Sequence, residues 1–459
     1  MSNAKWLKSL NCIEGRHISF DDVLNWINVR REETEVKVDR VTLSSMSHWQ
    51  LNSASNAISH TTGRFFSIKG LRVSGIGPNL NSWDQPIIDQ QEIGVLGCIV
   101  KEIKGILHFL VQAKIEPGNI NVVQLSPTLQ ATRSNYTLQH KGRAPKYLEY
   151  FNGAKPVTVL LDQLQTEQGS RFFRKRNRNI VVQTNEDIEV DSEFIWLTLG
   201  QIKKLALIDN VINMDLRTVL SLIPLQHHYS QTPTNHLLSE LVGAISSTED
   251  SLFSYNEIMS WVVNLRAISD RTTSIYSINE LQDWSINEDG VFHSQRRHFD
   301  IIWAHITISN REVSSWDQPI VRPRDHGLIG FFVKKVQDQW YFLVQAKMEC
   351  GSFEPVELTS SLCFVPSSYS NPEREIPFYS YFLQASQEDF ILDTMQSEEG
   401  GRFFHEQNRN FILNIDHKFS YSATEFPEYK WMTYSQLLKF MAHSNYVSIQ
   451  ARSLLSLIG

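Results

Sequence analysis

The chain has 459 residues, 41% hydrophobic and 20% charged, which supplies apolar mass for two or three domains. Its 43 Lys and Arg against 50 Asp and Glu leave a net charge of −7, which argues against a basic, nucleic-acid-coating surface. Cys12, Cys98, Cys350 and Cys363 show no paired spacing, so neither a disulfide nor a zinc framework is expected. The N-terminus shows no signal-peptide pattern, and the longest apolar stretch, 93–100, is too short to span a bilayer. A cytoplasmic protein without a membrane partner is expected.

In chain order, Phe20, Val23, Leu24 and Ile27 predict an amphipathic helix. β-rich segments follow at 65–73, 94–100 and 107–114. Between the first two lies Asn81-Ser-Trp-Asp-Gln-Pro-Ile-Ile88, where Trp83 either stacks on a base or packs under a turn. On the strand ending Phe109-Leu-Val-Gln-Ala-Lys114, Gln112, Lys114 and Glu116 share one face. That face is either a solvated edge or internal Lys–Glu pair, or the polar floor of a ligand site. The loop Thr132-Arg-Ser-Asn-Tyr136 offers hydroxyls, an amide and a cation suited to a sugar diphosphate; the plainer reading is a capped turn.

A helix is predicted near 157–178, with Glu167 and Arg171 four apart and able to pair. Arg174, Lys175, Arg176 and Arg178 follow, as a solvated helix face or as an anion site. A short strand at 180–183 and a helix pair at 199–209 and 216–223 end the first unit. The polar segment 225–251 reads as a linker with one short helix, 237–245.

The rest of the chain repeats this order. Trp-Asp-Gln-Pro returns at Trp316, Phe-Leu-Val-Gln-Ala-Lys ends at Lys347, and Gln165-Thr-Glu-Gln-Gly-Ser-Arg-Phe-Phe173 returns as Gln396-Ser-Glu-Glu-Gly-Gly-Arg-Phe-Phe404. The modules are therefore 17–224 and 252–459, each large enough to fold alone, with corresponding sheets and helices in equivalent places. The expected class is α+β, two tandem homologous modules, each a mixed β-sheet flanked by helices. The copies differ in charge: Arg174-Lys175-Arg176 becomes His405-Glu406-Gln407, and Arg133 becomes Pro366. Gly75-Ile-Gly77 lacks the third glycine of a dinucleotide fingerprint, and no P-loop, HExxH or zinc pair occurs, so no cofactor or catalytic metal is expected.

Trp83-Asp-Gln-Pro-Ile-Ile88, Phe109 to Asn119, Leu125 to Tyr136 and Arg174-Lys-Arg-Asn-Arg-Asn179 resemble the NDP-hexose 2,3-dehydratases of deoxysugar biosynthesis. The resemblance spans nearly the whole chain, including the duplication. It implies Nudix-like modules, a homodimer, a thymidine-diphosphate-sugar substrate, no metal requirement, and one catalytic pocket beside a degenerate one. The implied reaction is 2,3-dehydration of dTDP-4-keto-6-deoxyglucose, feeding a downstream 3-ketoreductase.

Lys114, Glu116, Tyr136 and Glu167 are the candidate acid–base groups, with roles unassigned among them. Trp83, Gln112, Thr132, Arg133, Ser134, Asn135, Arg171, Arg176 and Arg178 are the candidate substrate-binding residues. Cationic charge places catalysis in 17–224 and makes 252–459 the degenerate copy. The rival readings are a non-catalytic sugar-nucleotide binder and a pyrophosphohydrolase; the missing Nudix box of clustered glutamates counts against the latter.

Overall fold

The predicted opening helix forms over Phe20–Glu32. Ser19 caps it by accepting from the Asp22 N–H at 3.2 Å, with Asp21 and Asp22 in the first turn and Arg30 and Arg31 in the last. Phe20, Val23 and Ile27 are buried, each contributing about 1.5–3 kcal/mol. The second copy, Tyr255–Ala267, starts on a Ser254/Glu257 capping box and buries Ile258 and Val262. A further helix, Asn3–Leu10, precedes the first module and buries Trp6 and Leu10 in its core.

The computed structural model describes residues 3–75, 82–132, 144–223, 225, 241, 251–309, 313–415 and 425–458. Each half contains one large and one small sheet. The first large sheet runs in the order Thr158–Thr166, Arg176–Gln183, Gly94–Ile103, Ile106–Ile115, Phe194–Thr198. Val123–Ser126 and Leu129–Ala131 pair onto its two central strands. The pair Gly94–Ile103 with Arg176–Gln183 is parallel and the rest are antiparallel, so the sheet is mixed, as expected. The second large sheet repeats the order with Phe390–Ser397, Gln407–Asn414, Gly327–Val336, Gln339–Lys347 and Tyr429–Met432. Two helix pairs, Leu199–Ala206 with Met214–Ser221 and Tyr434–Met441 with Ile449–Leu455, cover one face of these sheets and share one continuous core. Of the linker helix expected at 237–245, only Leu241 lies among the described residues, where it is helical and buried.

Two expectations are corrected. The segment 157–178 is no helix but two antiparallel strands, Thr158–Thr166 and Arg176–Gln183, joined by a tight loop. The Glu167 N–H donates to the Lys175 carbonyl at 3.0 Å across the neck of that loop. Charges spaced like a helical face mislead here, because the spacing carries no weight once cross-strand pairing takes over.

Nor is each module self-contained. Val36–Arg40, the first strand of the first half, pairs with Phe299–Ile308 in the small sheet of the second. Thr272–Tyr276, its counterpart, pairs with Ser67–Ser74 in the small sheet of the first. The exchange is reciprocal, so each half leaves an unpaired edge without the other.

Helices Met214–Ser221 and Ile449–Leu455 carry the same relation. Fully buried Arg217 donates to the Ser397 carbonyl at 2.6 Å and to Ser453 Oγ at 2.7 Å, both in the second half. Fully buried Arg452 donates to the Thr166 carbonyl at 2.8 Å and Thr218 Oγ1 at 3.3 Å, both in the first. No described helix is long and apolar enough to cross a membrane.

Candidate functional site

The strand Ile106–Ile115 turns Val111 and Ala113 into the core and leaves Gln112 and Lys114 half-buried on the other face. Glu116, just past its end, is buried. A chain of amides fixes it: Asn213 Nδ2 donates to Gln130 Oε1 at 3.0 Å, and Gln130 Nε2 donates to Glu116 Oε1 at 2.9 Å. Asn213 is itself the cap of Met214–Ser221, so the carboxylate is tied to a helix terminus. Glu116 Oε2 is buried and has no hydrogen-bond partner among the described residues.

The second half completes this site. Gly118 N donates to the Gly400 carbonyl at 2.8 Å, and His405 N donates to the Gly118 carbonyl at 3.0 Å. These bonds lay the Glu399–His405 loop across the end of the Lys114 strand. A methyl group placed on Gly401 would lie 2.4 Å from Glu399 Oε1 and 3.5 Å from Glu116 Oε1, so the two carboxylates flank that glycine.

Burial, reinforced by Glu116, pushes the Glu399 carboxyl up to about 8, although its side chain keeps some contact with solvent. Asp215, in the first turn of the capped helix, is raised well above its ordinary range by burial and then by Glu167, Glu399 and Glu116. Lys175 is pulled down to about 8 by burial, offset in part by Glu167, and donates to the Glu92 carbonyl. Lysine, amides and carboxyls that prefer a proton therefore converge on one place, an inventory for moving protons.

The reciprocal site is differently furnished. Gly351 N donates to the Gly169 carbonyl at 2.7 Å and Arg174 N to the Gly351 carbonyl at 2.7 Å, so the first half's loop crosses the Lys347 strand. There Lys347 Nζ is spent on the Cys363 carbonyl at 2.6 Å and on Glu349 Oε1 at 3.4 Å. Burial opposes its charge, yet Cys363, Glu349 and Tyr369 beside it raise its pKa. Cys363, Ser448, Gln168 and Gln450 stand where the first site has Gln130, Asn213, Glu399 and Asp215. The amide chain and the counterparts of Glu399 and Asp215 are absent, but this site has buried carboxyls of its own: burial pushes Glu357 up to about 7 and Glu398 up to about 8, and raises Glu406.

The predicted site residues divide accordingly. Lys114 and Glu116 come together, with Gln112 on the same strand face. Glu167 lies behind them, buried, accepting from Asn177 Nδ2 at 2.5 Å rather than pairing with Arg171. Thr132 follows the strand Leu129–Ala131; Arg133, Ser134, Asn135 and Tyr136 fall outside the described residues.

The remaining candidates are placed elsewhere. Trp83 does not line the Lys114 site: its indole donates to Gln85 Oε1 at 3.2 Å, with the Arg271 guanidinium 5.0 Å from its ring. Gln85 in turn donates to the Ser170 carbonyl at 2.9 Å, and Gln318 does the same to Gly401 at 2.7 Å. The repeated Trp-Asp-Gln-Pro is thus a clamp on the crossing loop. Arg171 crosses to the other site, its guanidinium 4.1 Å from the Phe299 ring and its charge acting on Glu398 and Glu406. Arg176 lies 4.1 Å over Phe353, in the second half. Arg178 forms a bidentate pair with Asp162 at 2.8 and 2.6 Å, which occupies the fork predicted to hold phosphate. Of Arg174-Lys175-Arg176, read as one cationic stripe, Lys175 is internal while Arg174 is exposed.

Sequence reasoning missed Asp215, Glu399, Gln130 and Asn213. The signal was available: each differs between the copies, as Gln450, Gln168, Cys363 and Ser448. Among the described residues, no three His, Cys, Asp or Glu side chains are grouped to hold a metal ion.

A family model described as NDP-hexose 2,3-dehydratase matches residues 20–223 and again 255–458. A protein of Saccharopolyspora spinosa named dTDP-4-dehydro-6-deoxy-alpha-D-glucopyranose 2,3-dehydratase is 39% identical over 439 residues, covering 94% of this chain and 89% of its own. Proteins of the same name from Amycolatopsis orientalis and Streptomyces violaceoruber are each 37% identical. They cover 97% and 94% of this chain and 91% and 95% of their own lengths.

Proposed function

The chain belongs to the NDP-hexose 2,3-dehydratase family, and from that premise we propose that it dehydrates a dTDP-linked 4-keto-6-deoxyglucose across C2 and C3. The C4 ketone acidifies the C3 proton. A base removes that proton, an acid assists departure of the C2 hydroxyl as water, and the enol relaxes to a 3,4-diketo-2,6-dideoxy sugar. The exchange is redox-neutral and calls for no nicotinamide.

The observation that carries this reading is the pairing of Glu116 with Glu399 beside Lys114. Glu116 accepts from the Gln130 amide, burial keeps the Glu399 carboxyl protonated near neutrality, and the two flank one glycine, so the pair furnishes a base and an acid. We assign the base to Glu116, the acid to Glu399, and to Lys114 the polarisation of the sugar's oxygens. Catalysis then belongs to the pocket built on the strand of 17–224, with 252–459 supplying its loop and keeping the degenerate pocket. A homodimer and a downstream 3-ketoreductase for the diketone belong to the same proposal.

The test is incubation with the 4-keto sugar nucleotide. The diketo product is unstable and should release nucleoside diphosphate and a pyranone. A binder would leave the substrate intact, and a pyrophosphohydrolase would give sugar phosphate and nucleoside monophosphate. In the matched variants Lys114→Ala should lose turnover by about 10²-fold or more, while Lys347→Ala keeps it. The reverse pattern moves catalysis to the other pocket.

A further inference from the structure

The polar floor of the Lys114 pocket has a second strand. Val123–Ser126 pairs antiparallel with Ile106–Ile115, setting Gln124 opposite Lys114 and Ser126 opposite Gln112. Side chains directly opposite share one face, with Cβ atoms about 4.5–5.5 Å apart, so Gln124 is the lateral neighbour of Lys114. Glu116, two residues further along, is its diagonal neighbour. Leu125, on the other face, joins the core.

Gln124 is buried and its amide is half used. Ser397 Oγ, from the second half, donates to Gln124 Oε1 at 2.9 Å, and the Ser397 carbonyl accepts from Arg217 at 2.6 Å. Gln124 Nε2 is buried and has no hydrogen-bond partner among the described residues. A buried donor left unpaired weakens a fold, so packing alone does not account for an amide at this place.

The other copy fills the place with a carboxyl. The lysine strands read Phe-Leu-Val-Gln-Ala-Lys in both halves, but Val123-Gln-Leu-Ser126 becomes Val356-Glu-Leu-Thr359. Glu357 stands opposite Lys347 in the same register and is buried. The groups whose charge reaches Glu357 are Arg452, Glu349 and Arg266. Their counterparts around Gln124 are Arg217, Glu116 and Arg31. One ionisable group in the floor therefore separates two pockets whose lysine strands match.

We propose that Gln124 is a positioning residue of the dehydration: it keeps the floor beside Lys114 and Glu116 free of a further carboxylate, which would oppose the negative charge that the sugar's oxygen takes on as the C3 proton leaves. Buried charges are screened little, so an anion at this range weakens the field that Lys114 presents to that oxygen. The proposal rests on the dehydratase reading and on catalysis in the Lys114 pocket.

The test uses the full chain, the 4-keto sugar nucleotide and the variants Gln124→Glu, Gln124→Met and Glu357→Gln. Glu357 shows that the fold accepts a carboxyl at this place, and melting at about pH 6 checks it in the first variant. Burial pushes Glu357 up to about 7, and a carboxyl at 124 meets the corresponding surroundings. Asp215 and Glu399, the further carboxyls of this pocket, are raised by burial themselves. Gln124→Glu should therefore keep much of its turnover at about pH 6, where the new group is protonated. Relative to the parent it should lose about tenfold or more as the pH rises to about 8. Gln124→Met, neutral at every pH, should lower turnover by a factor that does not change with pH. Glu357→Gln should leave turnover and its pH profile as they are.

A ratio of Gln124→Glu to parent that stays constant over this range overturns the proposal, because a merely structural place gives that result. The same pH-dependent loss in Gln124→Met overturns it as well. A changed profile in Glu357→Gln places the charge-sensitive floor in the other pocket and has the same consequence. A parent that does not dehydrate refutes the dehydratase reading and the proposal with it, whereas a parent that turns over beside a constant ratio refutes the proposal alone.

Discussion

Glu399 stands where the first copy has Gln168, and that exchange gives one pocket a titratable group and the other an amide. Glu399→Gln keeps the shape and removes the proton, so kcat should fall by about 10²-fold or more with a smaller change in KM. Because burial beside Glu116 pushes Glu399 up to about 8, the parent's kcat should decline as pH rises through that value. Residual turnover in the variant should lack that limb; a profile of unchanged shape would remove Glu399 from the acid's role.

The stability sign is the opposite of the usual carboxylate case. The folded chain keeps a proton that an unfolded glutamate releases near its ordinary 4.5, so native stability falls as pH rises from there to about 8. The melting temperature should drop across that window, and by less in Glu399→Gln.

The crossing loops are elements whose backbones touch. A methyl group on Gly118 would lie 2.8 Å from the Gly400 carbonyl oxygen and in hard collision with that of Phe403, and backbone cannot step aside as a side chain can. Gly118→Ala should therefore displace the Glu399 loop, lowering turnover severely and stability by about 1–3 kcal/mol. Urea unfolding beside turnover checks this, and near-normal values in both would show the crossing to be dispensable. The helix pair at the boundary makes a second prediction. Arg217→Ala strands the Ser397 carbonyl and Gln396 Oε1, its acceptors at 2.6 and 3.1 Å, and should cost about 3 kcal/mol or more. A loss below about 1 kcal/mol would mean that the buried guanidinium does not tie the halves together.

At the scale of the whole molecule, duplication has produced one cooperative body. Each small sheet borrows its first strand, each Lys-bearing strand is crossed by the other half's loop, and one core runs through both helix pairs. Neither 1–224 nor 252–459 should fold alone. The two pieces co-expressed should assemble and recover turnover, since the exchanged strands need no covalent link between the halves. A soluble, cooperatively melting 252–459 on its own would refute this.

The order of elements was legible in the sequence because it depends on local rules. The helix at Phe20 follows from 3.6-residue periodicity, the strand at Lys114 from alternation, and the mixed sheets from a motif order that occurs twice. Lys114 and Glu116 could be named as neighbours on one face for the same reason. The 157–178 segment failed because its charges imitate a helix face, whereas hydrogen bonds to Gly94–Ile103 hold it as strands. Pairing across long stretches of chain is what periodicity cannot report. Only the tertiary structure decided that Glu399 belongs with Lys114, and that Arg171, Arg176 and Trp83 belong with the opposite half. Two copies with the same order of elements can pack with themselves or with each other, and the local sequence of each is the same in both cases. The choice is made by the exchanged strands Val36–Arg40 and Thr272–Tyr276 and by Gly118 and Gly351, whose missing side chains let the loops cross.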